Sequence, residues 1–211
     1  MNHLHQELPG APAPAGMNTA PPGRTIGRVG IIGANAVGLG VATSLLDAGV
    51  PVTLLECERA SLDSGIEQAR SAYRAAVAKG ELGPDEQERR LALLAGTVYF
   101  HHLKDCDLIV DAMQTDTPGR EKLFRRLDQV AMPGAVLVTH AGNAGVDHIA
   151  GCTRRRGEVL GLQLAGTPEG GDTWRIVRGK DTSGATLDTV LALARKLRKT
   201  VAVCDGPTAL Q

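Results

Sequence analysis

The stretch Val29 to Glu58, VGIIGANAVGLGVATSLLDAGVPVTLLECE, holds the residues best suited to chemistry. Gly33 and Gly38 follow one apolar run, and Glu56 closes a second, 18 residues after Gly38. A strand that turns at glycine directly into a helix presents the helix's unpaired N–H groups and partial positive charge at that turn, where an anion can be held. A carboxylate ending the next strand bonds ribose hydroxyls and repels a 2′-phosphate. These are the parts of an adenine-dinucleotide seat, with NAD favoured over NADP, and Gly33, Asn35, Ala36, Val37, Gly38 and Glu56 are its expected contacts. Asn35 stands where the G-x-G-x-x-G fingerprint has its second glycine. Its side chain is expected to crowd the pyrophosphate and lower affinity, although asparagine tolerates positive φ better than most residues. The plainer alternative is a tight strand-to-helix turn with no ligand.

The elements that would position this seat follow from hydrophobic patterning. Strands are expected at Val29 to Ile32, Val52 to Leu55, Thr97 to Phe100, Leu108 to Asp111, Ala135 to Thr139, Val159 to Leu164, Trp174 to Val177 and Val201 to Cys204. Helices are expected at Gly38 to Ala48, Ala60 to Lys79, Asp85 to Leu94 behind Pro84, Arg120 to Val130 and Ser183 to Leu197. Alternating strands and helices predict an α/β fold: a Rossmann-like, doubly wound, mostly parallel sheet with a helical hairpin inserted after the second strand. His140 and Asn143 then fall at the carboxyl edge of the fifth strand, where open α/β sheets bind ligands, and His140 is the candidate acid or base. His101 and His102 read as a strand-end surface pair, and His148 as flanking a short helix, with no carboxylate partner at a suggestive spacing.

From Arg28 to Pro207 the chain resembles the N-terminal domain of the 3-hydroxyacyl-CoA dehydrogenases. RVGIIGANAVGLGVATSLLDAGVPVTLLE is similar to that family's first βαβ unit, and VAKGELGPDEQERRLALLAG to its helical arm. DCDLIVDAM with REKLFRRLD, and later TRRRGEVLGLQL, match the strand and helix after the arm and the arginine-rich turn leading into a G-L-H strand. The resemblance implies NAD as cofactor and a 3-hydroxyacyl-CoA substrate. It also implies that the catalytic positions are replaced: the family's histidine falls on Gln163, its partner glutamate on Arg175, and a substrate-holding serine on Gly142. A glutamate near the nicotinamide falls on Thr115 and a lysine on Arg120. Glutamine does not titrate near neutral pH, so Gln163 bonds an oxygen without relaying its proton. The expectation is NAD-dependent hydride transfer that is weak or absent in this chain, or a non-catalytic module for NAD, acyl-CoA or a partner.

Composition narrows the rest. Lysine plus arginine equals aspartate plus glutamate at 23 each, and aromatics are scarce, which removes the field and the stacking platforms of a nucleic-acid binder. Cys57, Cys106, Cys152 and Cys204 lie about fifty residues apart without a C-x-x-C pair, so neither a zinc site nor a disulfide framework is expected. No apolar run approaches the roughly 20 residues of a membrane span, and a cytoplasmic location is expected. Residues 1–25 hold five of the eleven prolines and read as a disordered tail, with His3 and His5 given no metal role. Residues 26–207 read as the dinucleotide-binding domain. After DGPTALQ the family continues into a helical domain, expected here from a partner chain or lost.

Overall fold

In β1 (Val29–Ile32), Val29 and Ile31 join one apolar cluster and Ile32 the other, because successive strand residues point to opposite faces. Every residue of this strand is buried, as are those of β2 (Val52–Leu55) and β4 (Leu108–Asp111). Near-continuous Val, Ile and Leu is what a sheet covered on both faces demands. The computed structural model describes residues 24–140, 145–165 and 173–205. The expected tail, apart from Arg24 and Thr25, lies outside them, as do Gly142, Asn143 and the expected C-terminal end.

The chain then runs α1 (Ala36–Asp47), β2, α2 (Arg59–Ala78), α3 (Pro84–Leu91), β3 (Leu94–Thr97), β4, α4 (Thr117–Val130), β5 (Val136–His140), α5 (Val146–Gly151), β6 (Val159–Ala165), β7 (Thr173–Arg178), α6 (Gly184–Lys196) and β8 (Thr200–Asp205). The sheet order is β3-β2-β1-β4-β5-β6-β7-β8, parallel except for the antiparallel β6–β7 pair. One face packs on α1, α2 and α6; α4, α5 and the turn around Phe100 and Leu103 cover the other. The strand order reverses between β1 and β4, so the crevice over their carboxyl ends is the expected ligand site of an open sheet. Among the described residues no helix is long and apolar enough to cross a membrane.

The expected doubly wound sheet and hairpin insertion are present; several boundaries move for local reasons. The third strand occupies Leu94 to Thr97 rather than Thr97 to Phe100, since Leu94 registers with Val52 and this also ends α3 early. Thr97 Oγ1 accepts the Tyr99 N–H and meets His102 Nδ1 at 2.7 Å, turning residues 100–105 into a 3₁₀ helix. His101 and His102 therefore sit in that turn, not at a strand end. The hairpin is anchored to α1 by Asp47, whose Oδ1 accepts the Tyr73 hydroxyl at 2.8 Å and pairs with Arg90 at 2.6 Å.

A buried ion pair joins β4 to α4. Arg120 Nε donates to Asp111 Oδ2 at 2.7 Å and its Nη2 donates to the Met113 carbonyl at 3.0 Å. Burial pushes the Asp111 carboxyl above its ordinary value of 3.8 against the pull of Arg120. Arg120→Met should cost about 3–5 kcal/mol in urea unfolding, because Asp111 stays buried without its partner. A raised folded-state pKa means that this group's contribution falls as pH rises from the unfolded value through the folded one. Loss of Arg120 steepens that fall, so the gap between wild type and variant should narrow from about pH 7 to about pH 5. An unchanged gap would show that Asp111 does not feel Arg120.

Candidate functional site: the first strand-to-helix loop and the Gln163–Arg175 pair

The loop between β1 and α1 needs glycine at two places for its own closure. Gly33 has φ 107°, where a side chain is strained, and a Cβ on Gly38 would lie 2.0 Å from the Gly33 carbonyl oxygen. Both glycines are thus explained by the turn before any ligand is considered. Asn35 is the N-cap of α1, with φ −84° and ψ 179°. Its Oδ1 accepts the Val37 and Gly38 N–H groups at 3.0 and 3.1 Å, and its Nδ2 donates to the Ala112 carbonyl at 2.5 Å. One expectation is corrected here. Asn35 has no positive φ, and its side chain folds back as a cap and as a tie to the end of β4, so it takes up two helix N–H groups expected to be unpaired.

Glu56, just past β2, reaches the same loop. Its Oε1 accepts the Ala34 N–H at 2.6 Å and its Oε2 the Cys57 N–H at 3.2 Å. The Asn35 and Ala36 amides have no acceptor among the described residues, and Ala36 is exposed. The residues therefore fit an adenine dinucleotide in a specific way. A carboxylate stands at the end of β2 with lone pairs for ribose hydroxyls, two amides remain for a pyrophosphate, and Asn35 holds the next two.

Thr115 immediately precedes Asp116, whose Oδ1 caps α4 through the Gly119 N–H at 2.9 Å. Arg120 spends its guanidinium on Asp111 and Met113. The antiparallel register sets Gln163 directly opposite Arg175. Two positions twelve apart in sequence are thereby neighbours on the α4/α5 side of the sheet, the face of Val159 and Val177. His140 is exposed at the end of β5, two residues beyond Val138 on the α1 side, where it lines one small cleft with Val37, Asp111 and Leu162. Strand alternation thus separates it from Gln163 and Arg175.

Other polar groups find plain partners. Asp128 accepts from Arg154 and Arg155, which accounts for the basic turn, and Arg195 and Lys196 occupy the last turn of α6, where cations suit the helix dipole. His148, with no carboxylate at a suggestive spacing in sequence, has its Nε2 2.8 Å from Oε1 of Glu121, 27 residues away. The Asp111–Arg120 and Glu121–His148 contacts escape a reading of the sequence because each is made by the docking of α4.

Residues 28–206 match the family model described as 3-hydroxyacyl-CoA dehydrogenase, NAD binding domain. The chain belongs to that family. It is 33% identical over 140 residues to the 3-hydroxybutyryl-CoA dehydrogenase of Mycobacterium tuberculosis, covering 66% of this chain and 49% of that protein. It is 24% identical over 176 residues to a peroxisomal fatty acid beta-oxidation multifunctional protein of Arabidopsis thaliana, covering 83% of this chain and 24% of that one. The chain thus spans between a quarter and a half of these relatives' length. The crystal structure of Mycobacterium tuberculosis FadB2 superposes with a TM-score of 0.82 at 29% identity, covering 86% of this chain and 65% of that one. The Escherichia coli 3-hydroxybutyryl-CoA dehydrogenase superposes at 0.83 with 22% identity, covering 86% and 39%, and there the likeness shows the fold. The chain is an NAD-binding domain of the 3-hydroxyacyl-CoA dehydrogenase type, and NAD is its cofactor.

Removing the Asn35 side chain should free the Val37 and Gly38 N–H groups. Asn35→Gly is expected to tighten NADH binding roughly 2- to 10-fold, the worth of one net hydrogen bond, while costing about 1 kcal/mol of stability, chiefly through the lost bond to the Ala112 carbonyl, since glycine is itself a tolerated N-cap. Fluorescence titration with NADH and urea unfolding measure the two. Weaker binding in the glycine variant would show that the Asn35 side chain aids the cofactor.

Proposed function

We propose that this chain is the dinucleotide-holding unit of a 3-hydroxyacyl-CoA dehydrogenase system whose own hydride-transfer chemistry is weak or absent. The observation that carries the reading is the pairing of Gln163 with Arg175. Bound NAD supplies the hydride acceptor. Oxidation of a 3-hydroxyl also requires a group that takes the hydroxyl proton, and an amide at Gln163 can hold the oxygen but not receive that proton. Arg175, directly across from it, adds a positive charge where proton uptake would need a negative one, and so disfavours protonation of any base nearby. Losing a general base typically costs ~10²–10⁴-fold in rate. The acyl-CoA class comes from the family, and a partner chain supplying the remaining domain accords with the greater length of the relatives.

A second reading keeps the chain an enzyme, with His140 as acid or base. The cleft His140 shares with Asp111 and Val37, beside the first helix, favours it. His140→Ala should then abolish whatever turnover exists; unchanged turnover removes that reading.

NADH fluorescence tests the seat, and NADH oxidation driven by acetoacetyl-CoA tests the reaction. The expected result is saturable binding with turnover at or near background. Gln163→His combined with Arg175→Glu should raise that turnover roughly tenfold or more by restoring a base and its carboxylate. Wild-type turnover equal to that of the double variant would contradict the reading, and no NADH binding would remove both it and the module.

A further inference from the structure

Away from the dinucleotide seat, the packing of α5 on α4 brings three side chains of metal-ligating type onto one surface patch. Glu121 projects from α4, His148 from α5, and Cys152 follows α5 directly. Cys152 keeps helical backbone angles, φ −80° and ψ −6°, so it and His148, four residues apart, lie on one face of the same turn. One donor atom from each of the three lies within 4.8 Å of the other two. The contacts now made are a 2.8 Å contact between His148 Nε2 and Glu121 Oε1 and a 3.6 Å contact from the Cys152 thiol to the His148 carbonyl. Neither accounts for a thiol, an imidazole and a carboxylate converging.

We propose that Glu121, His148 and Cys152 form a binding site for a borderline-soft divalent metal ion, zinc foremost. Zinc takes sulfur, nitrogen and oxygen donors at about 2.0–2.3 Å in a tetrahedron, which sets donor atoms about 3.3–3.7 Å apart, so side-chain rotation of about an ångström closes the set. Thiolate with imidazole discriminates against magnesium and calcium, which prefer oxygen alone. On binding, the Cys152 S–H bond breaks, its proton goes to water and the sulfur electron pair goes to the metal; the hydrogen that His148 Nε2 now donates to Glu121 is lost to water while Nδ1 keeps or takes one from water, freeing the Nε2 lone pair of the neutral imidazole, and the ionised Glu121 gives Oε1. Two anionic donors balance the dication. Arg125 donates to the other carboxylate oxygen of Glu121, Oε2, at 2.8 Å, leaving Oε1 for the metal. The three protein ligands leave a fourth position for water on the exposed side of His148. The bound ion would staple α5 to α4.

Cobalt(II) is the probe, titrated into the full chain prepared without a polyhistidine tag and with thiols reduced. The expected result is a saturable 1:1 thiolate-to-cobalt charge-transfer absorption, displaced by zinc, with zinc also raising Tm. Cys152→Ser should abolish the band, and His148→Ala should weaken cobalt binding by at least roughly tenfold. Cys57→Ser and Cys204→Ser, which alter thiols outside the cluster, should leave it unchanged. Far-UV circular dichroism checks that each variant is folded. No charge-transfer band at saturating cobalt overturns the proposal, as does a band that survives in folded Cys152→Ser or an affinity untouched by His148→Ala.

Discussion

The contact on which this architecture turns is the hydrogen bond from the Ala34 N–H to the Glu56 carboxylate, 2.6 Å long. It joins the end of the second strand to the turn after the first. A charge-assisted bond of this kind is roughly twice as strong as a neutral one. It satisfies an amide that the turn through Gly33 would otherwise leave unpaired, and it sets a negative charge beside the start of α1, where the helix dipole favours one. Asn35 completes the closure from the other side by capping two more amides and tying the loop to β4. The seat is therefore organised by the protein's own polar atoms. A dinucleotide bound there would meet the Asn35 and Ala36 amides without an acceptor among the described residues, and its phosphate oxygens would contend with the Asn35 side chain for those of Val37 and Gly38.

The other half of the sheet is organised independently of that seat. Gln163 and Arg175 face each other because β6 and β7 run antiparallel, a register set by Leu160, Leu162, Trp174 and Ile176 packing into the apolar cluster on the opposite face. Nothing in that register depends on what the outward pair does chemically. The residues at that pair can thus change while the strands and the cofactor loop remain intact, because apolar burial on one face holds the strands and the pair lies on the other.

Much of this was legible in the sequence. The strand-loop-helix-strand unit from Val29 to Glu56 declared itself through apolar runs, glycine spacing and a carboxylate at the right distance, all local signals. The relay positions were found by counting along a resemblance, and the register then set them side by side. Asn35 was read only for its bulk beside the pyrophosphate, and its capping role was missed although its residue type carried that signal, since asparagine is among the best N-caps. Asp116 before Thr117 and Pro118 likewise announces the true start of α4, three residues before the one expected. The third strand was displaced because Val-Tyr-Phe reads as strand by propensity, while pairing with β2 selects Leu94 to Thr97. The Asp111–Arg120 and Glu121–His148 contacts join separate elements, and only the His148–Cys152 spacing left a local trace.

The account stands or falls on the Glu56 carboxylate being the group that receives the adenosine ribose. The most direct measurement is the affinity of NADH against NADPH, in the wild type and in Glu56→Ala. A carboxylate at that position repels a 2′-phosphate, so the wild type should bind NADH roughly tenfold or more tightly than NADPH, and the alanine variant should lose most of that preference. Equal affinities in the wild type, or a preference that survives in Glu56→Ala, would contradict it.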